Sequence, residues 1–112
     1  MNHQTIFEIQ SNLCRTMSHP LRLRIVHLLR DGPMRVQDIA TSTSCAQSTV
    51  SRHLSVLRHG GILKTERHGQ EILYQIANPK IVTICDLMRD VLMEEASRQS
   101  DLIQGNPNEH RR

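Results

Sequence analysis

The chain has no tryptophan, and Phe7 and Tyr74 are the sole phenylalanine and tyrosine among its 112 residues. Single-stranded nucleic acid and most RNA are read by stacking bases on aromatic faces, so a partner of that kind finds almost no platform here. Long apolar runs are missing too. No stretch approaches the roughly 18 residues of a membrane span, and the opening MNHQTIFEIQ lacks the basic start and apolar stretch of a secretory leader. A cytoplasmic protein is expected. The cysteines number three, at positions 14, 45 and 85; an odd, scattered set fits a reducing compartment and argues against a disulfide framework. Paired carboxylates, a nucleophile elbow and a glycine-rich loop are absent, so no enzyme is expected.

The absence with most consequence is of acid. Between Asp38 and Glu66 there is no Asp or Glu, although Arg52, Arg58 and Lys64 lie inside that span. Farther on the balance reverses, with Asp86, Asp90, Glu94, Glu95 and Asp101 set against Arg89 and Arg98. The net charge of +3 is modest, but its concentration in one region makes a polyanion partner plausible.

Hydrophobic spacing supplies the framework. Ile6, Ile9, Leu13 and Met17 recur at helical period over Thr5 to Met17, with Phe7 and Cys14 on an adjoining line. Ser18-His19-Pro20 opens a second helix carrying Leu21, Ile25, Leu28 and Leu29, which Asp31-Gly32-Pro33 stops. A short third helix, Val36 to Ser42, turns Val36, Ile39 and Ala40 inward and gives way to the turn material Thr41-Ser42-Thr43-Ser44. A fourth ends at Gly60-Gly61, where tolerance of positive φ suits a helix C-terminus. The period then changes to two: Leu63, Thr65 and Arg67, then His68-Gly69-Gln70, then Ile72, Tyr74 and Ile76 predict a two-stranded hairpin with a basic tip. Asn78-Pro79 starts a last helix with Ile81, Ile84, Cys85, Met88, Val91 and Leu92 on one stripe. The expectation is a single domain over residues 1–97 and a polar tail over 98–112.

On a wheel of about 100° per residue, Ala46, Val50, Leu54 and Leu57 share one narrow arc, and Ser48, Arg52, Ser55 and His59 lie opposite. The outward side is small, polar and cationic. Such a face fits the major groove: hydroxyls permit close approach to phosphates, Gln47 offers a bidentate amide to a base edge, and Arg52 reaches guanine O6 and N7 or a phosphate. An ordinary solvated face would mix Glu with Lys. With the short helix before it and the hairpin after it, the arrangement is a helix-turn-helix followed by a wing.

Three segments in order, SHPLRLRIVHLL, AQSTVSRHLSVLRHGGIL and ERHGQEILYQI, resemble the ArsR/SmtB winged helix-turn-helix repressors, a resemblance running from about Leu13 to Leu92. It implies a mainly α fold with a small β-hairpin, in the order α-α-α-α-β-β-α, and a homodimer joined through the first and last helices. Gln47, Ser48, Thr49, Ser51 and Arg52 would face double-stranded DNA, with Arg67 and His68 of the wing on its backbone or minor groove. The expected target is an imperfect inverted repeat with half-sites about one helical turn, or a small multiple of it, apart. No membrane and no RNA partner is expected. A winged helix used only as a protein-interaction module is the alternative.

Members of this family release DNA when an ion or oxidant binds. The metal pattern of the last helix, D-x-H, ten residues, H-x-x-E, falls here on Asn78, Lys80, Val91 and Glu94 and keeps one ligand of four. The C-x-C pattern of the helix before the recognition helix would lie in MRVQDIAT, which has no cysteine. No metal ligand is assigned. Thiols remain: Cys14 and Cys85 read either as a sensing pair, open to oxidation or to arsenite or another thiophilic ion, or as small buried hydrophobes. Cys45 stands where the family usually has leucine, which favours packing. Of the histidines, His19 reads as part of a helix start, His27 as a side chain on the second helix, and His53 as a packing residue at the edge of the aliphatic arc. His3 gives the N-terminus an incidental capacity for copper(II) or nickel(II).

Overall fold

The computed structural model describes residues 4–103; the expectations for His3 and for the tail beyond Ile103 lie outside them. Helix α1 (Ile6–Met17) begins in a reciprocal cap, with Thr5 Oγ1 accepting from Glu8 N at 3.1 Å and Glu8 Oε1 accepting from Thr5 N at 2.9 Å. Helix α2 (Pro20–Leu28) has proline in its first turn, and the His19 ring caps it through Nδ1, which accepts from Leu21 N at 3.1 Å. It tightens into a 3-10 turn at Leu29–Asp31. A two-residue strand β1 (Met34–Arg35) leads into α3 (Val36–Thr43), and α4 spans Gln47–His59. Strands β2 (Leu63–His68) and β3 (Glu71–Ile76) follow, then α5 (Lys80–Ile103).

The turn between α3 and α4 is tight because Ser44 adopts the left-handed conformation at φ 58° and ψ 35°. That bend lets Cys45 N reach the Ala40 carbonyl at 3.1 Å and swings the chain into α4. Beneath the two helices, Ile25, Val26, Leu29, Ile39, Val50, Leu54, Leu57 and Ile62 are all but inaccessible to solvent. Each such side chain contributes about 1.5–3 kcal/mol of burial, which sets the helix-turn-helix on a firm base.

The sheet has three strands in the order β1-β3-β2, all antiparallel. The expected two-stranded hairpin therefore gains a partner, Met34 pairing with Tyr74 and Arg35 with Leu73. Two residues are too few for alternation to be legible. His68 and Glu71 close the hairpin around Gly69-Gln70, where Gly69 at φ 65° supplies the positive dihedral that a two-residue hairpin loop requires.

Contacts divide the chain into two compact units, one reaching to Val82 and the other starting at Thr83. In the second, α5 exposes Ile84, Leu87, Met88, Val91, Leu92 and Met93, and Cys85 is buried. In the first, Met17 is buried at the end of α1, while Ile6, Phe7 and Ile9 of the same helix stay exposed, Phe7 at 76 %. Among the described residues no helix is long and apolar enough to cross a membrane.

Candidate nucleic-acid interface

Helix α4 turns Val50, Leu54 and Leu57 inward, as the wheel requires, and presents Gln47, Ser48, Ser51, Arg52 and Ser55 to solvent. Thr49 is half-buried at the edge of that face. Ala46 is a correction to the wheel: it is exposed, because it is the N-cap and precedes the helix rather than sharing its buried arc. An alanine cap offers no side-chain acceptor, so the first-turn N–H groups of α4 receive no side-chain cap. Together with the helix dipole they form a positive end that suits a phosphate.

No carboxylate interrupts this surface. Asp38, on α3, is held by Arg35, whose Nε and Nη2 donate to its two oxygens at 3.0 and 3.3 Å while Nη1 donates to Glu71 at 2.8 Å. The pair of carboxylates, Asp38 above all and then Glu71, raises the Arg35 pKa. Arg35 thus joins α3 to the start of β3, a tie across 36 residues that no local pattern reveals. At the wing, Arg67 and His68 are exposed as expected; Arg67 Nη1 approaches the Gly69 carbonyl at 3.5 Å and His68 Nε2 lies 3.3 Å from Glu66.

His53 lies on the inward side of α4 with 6 % of its surface exposed. Its Nδ1 accepts from Arg22 Nε at 3.1 Å, and its ring meets that of His19 with centroids 4.4 Å apart. Burial lowers its pKa, and the charges of His19, Arg22 and Arg52 lower it further. Arg22 was not among the residues singled out in the sequence. Its partner is 31 positions away, so helical spacing gave no signal.

The three cysteines are free and differ in setting. Cys14 is exposed on α1 in the single chain. Cys45 is half-buried, its Sγ 3.5 Å from the Thr43 carbonyl, and burial pushes the Cys85 thiol up. Among the described residues, no three His, Cys, Asp or Glu side chains gather into a group able to hold a metal ion. At the position of the family's first metal ligand in the last helix, Asn78 instead caps α5, its Oδ1 accepting from Lys80 N at 3.0 Å.

This architecture has known counterparts. The sequence model described as bacterial regulatory protein, arsR family, matches residues 19–65, which run from the α2 cap through α4 into β2. The transcriptional repressor PagR of Bacillus anthracis is 41 % identical over 85 residues, covering 75 % of this chain and 85 % of PagR. Among solved structures, Rv0081 of Mycobacterium tuberculosis superposes with a TM-score of 0.77 at 27 % identity, covering 88 % of this chain and 99 % of the other. The winged helix-turn-helix DNA-binding domain of Mb0332 from Mycobacterium bovis, described as homodimeric, gives 0.73 at 27 % identity, covering 84 % and 92 %. An exposed acid-free helix, a preceding tight turn and a three-stranded wing coincide with these likenesses, and the chain belongs to the ArsR family of DNA-binding bacterial transcriptional regulators.

Proposed function

We propose that the chain acts in the cytoplasm as a homodimeric repressor that sets α4 of each subunit into the major groove of an imperfect inverted repeat. Gln47, Ser48, Thr49, Ser51 and Arg52 contact base edges and nearby phosphates, and Arg67 and His68 contact the backbone or minor groove beside them. The observation that carries this is the solvent-facing side of α4, which offers hydroxyls, an amide and a guanidinium with no carboxylate among them. Dimerisation is supported by the exposed apolar residues of α1 and of α5, more than a lone small domain leaves in water, and by the homodimeric description of the Mycobacterium bovis domain. Repression is supported by the likeness to PagR, named a transcriptional repressor, and occlusion of polymerase by a bound dimer is the simplest route to it.

Release from the operator is assigned to an effector acting on thiols, either an oxidant or a thiophilic species such as arsenite. Its support is the set of three free cysteines, with Cys14 exposed in the single chain. Burial of Cys85 raises its pKa and so disfavours the thiolate, which is the nucleophile.

Fluorescence anisotropy against a duplex from the promoter of the protein's own operon tests the first proposal. A salt-sensitive preference for an inverted repeat over random duplex is expected; its absence turns the reading into a protein-interaction module. The same titration with Cys14→Ser, Cys45→Ser and Cys85→Ser under oxidant and arsenite tests the second, which fails if all three variants release DNA as the parent does.

A further inference from the structure

Three side chains behind the recognition helix form a cluster that DNA contact does not use. His53, buried on the inward side of α4, accepts through Nδ1 from Arg22 Nε at 3.1 Å, and Arg22 Nη1 donates to the Thr16 carbonyl at 2.9 Å. The His19 ring packs on His53 at a tilt of 43° and spends its own Nδ1 on the Leu21 N–H. One guanidinium therefore connects the last turn of α1, the first turn of α2 and the middle of α4. A guanidinium and a backbone N–H can only donate, so both imidazoles must keep Nδ1 bare and carry their proton on Nε2.

We propose that His19, Arg22 and His53 are positioning residues that hold the recognition helix in its DNA-binding pose only while His53 keeps Nδ1 unprotonated to accept from Arg22, so that operator binding is lost on acidification. The proposal deepens the DNA-binding reading and rests on it for the operator readout. A proton taken from solvent onto His53 Nδ1 removes the acceptor of the Arg22 bond. It also sets a cation against Arg22. The charged and titratable groups facing His53 are His19 and Arg22, from the start of α2, and Arg52 on α4 itself; no carboxylate is among them to compensate. Relief comes by moving α4 away from α2, and the residues adjoining His53 on the outer side are Ser51 and Arg52, both assigned to DNA.

The experiment is an anisotropy titration of the full-length chain against its promoter duplex at constant ionic strength, from about pH 8 to about pH 5.5, with circular dichroism at each pH. Affinity of the parent is expected to fall on the acid side of the ordinary histidine value, once pH passes the lowered pKa of His53, by up to about tenfold per pH unit for each proton taken up on release. His53→Asn keeps an acceptor oxygen near Nδ1 and does not titrate; it should bind like the parent at high pH and lose less affinity in acid. Arg22→Gln should bind weakly at every pH. An acid loss in His53→Asn equal to that of the parent overturns the proposal, as does a loss that coincides with global unfolding. NMR of the DNA-free chain gives a second readout: the amides of α4 should shift in step with the His53 ring resonances, and a ring that titrates while those amides stay fixed overturns the proposal. If no duplex is preferred even at high pH, the DNA-binding reading fails by itself, and the NMR result still decides the positioning role.

Discussion

Thr16 and Gly60 approach so closely that a methyl group added at Gly60 would lie 2.9 Å from Thr16 Cγ2 and 3.3 Å from Thr16 Oγ1. The Thr16 hydroxyl donates to the Asn12 carbonyl at 3.0 Å, which fixes the side chain in place. Gly60 has φ −79°, a value open to any residue, so glycine is there for space. Gly61, at φ 81°, is the one that needs positive φ. Without the clash, Gly60→Ala would stabilise by about 0.4–1 kcal/mol through the unfolded chain. With it, a loss of about 1–3 kcal/mol is expected, and Thr16→Ser should recover most of that loss. Urea unfolding of the two single variants and the double variant measures this; equal losses in both backgrounds would contradict the steric account.

Ser44 is the one non-glycine residue with positive φ among the described residues. A left-handed L-residue is strained by roughly 1–2 kcal/mol, and glycine gives back part of the relief through its freer unfolded state. Ser44→Gly should therefore raise the unfolding free energy by about 0.5–1 kcal/mol without altering DNA affinity. A β-branched residue, as in Ser44→Val, should lower it. If Ser44→Gly is destabilising, the serine side chain has a role beyond the turn.

Arg52→Ala and Arg67→Ala should fail differently. Loss of Arg52 from the middle of the recognition face is expected to cost about 1–3 kcal/mol and to relax discrimination at one base pair in each half-site. Loss of Arg67 should weaken operator and random duplex alike and reduce the salt slope by about one per subunit. Anisotropy at several salt concentrations separates them, and identical behaviour would remove the distinction between base reading and backbone contact.

Acid should destabilise the fold through His53. Its folded pKa lies below the ordinary value because burial and neighbouring positive charge disfavour the imidazolium. The unfolded chain therefore binds the proton first as pH falls, and stability drops from about pH 6.5 downward until the folded pKa is passed. Above that range the contribution is fully present. Chemical unfolding across pH should show a shallower acid slope for His53→Asn than for the parent; parallel slopes would assign the effect to other groups.

The exposed apolar residues of the two terminal helices predict a concentration-dependent assembly. Phe7→Asp on α1 and Leu92→Asp on α5 replace side chains exposed at 76 % and 66 %, so neither should disturb the packing of its own chain. Each is expected to shift sedimentation toward monomer and to weaken operator binding by more than tenfold, since two half-sites are then no longer engaged together (roughly 10²-fold or more of avidity is at stake). Dimers that persist in both variants would put the interface elsewhere.

Much of this was legible in the chain. Val50, Leu54 and Leu57 repeat at helical spacing, and all three are buried. The change of period after Gly61 marks the wing, whose register runs from Leu63 opposite Ile76 to His68 opposite Glu71. The missing acids between Asp38 and Glu66 identify the cationic face without coordinates. Where the wheel erred, at Ala46, the reason is that periodicity describes the interior of a helix and says little about where it begins. Where α1 departs, with Ile6 and Phe7 in water, the stripe is real but its cover is absent from the single chain.

Hydrophobic period and turn chemistry act over a few residues of backbone, and those short-range rules alone specify five helices, a hairpin and a polar basic face. Closure of the core selects which distant groups meet, and short-range rules carry no information about it. It brought Arg22 to His53, Arg35 to Glu71, Met34 to Tyr74 and Thr16 to Gly60. Each of these contacts depends on loops and helix ends placed by the burial of Ile25, Ile39, Leu54 and Ile62 in one shared interior.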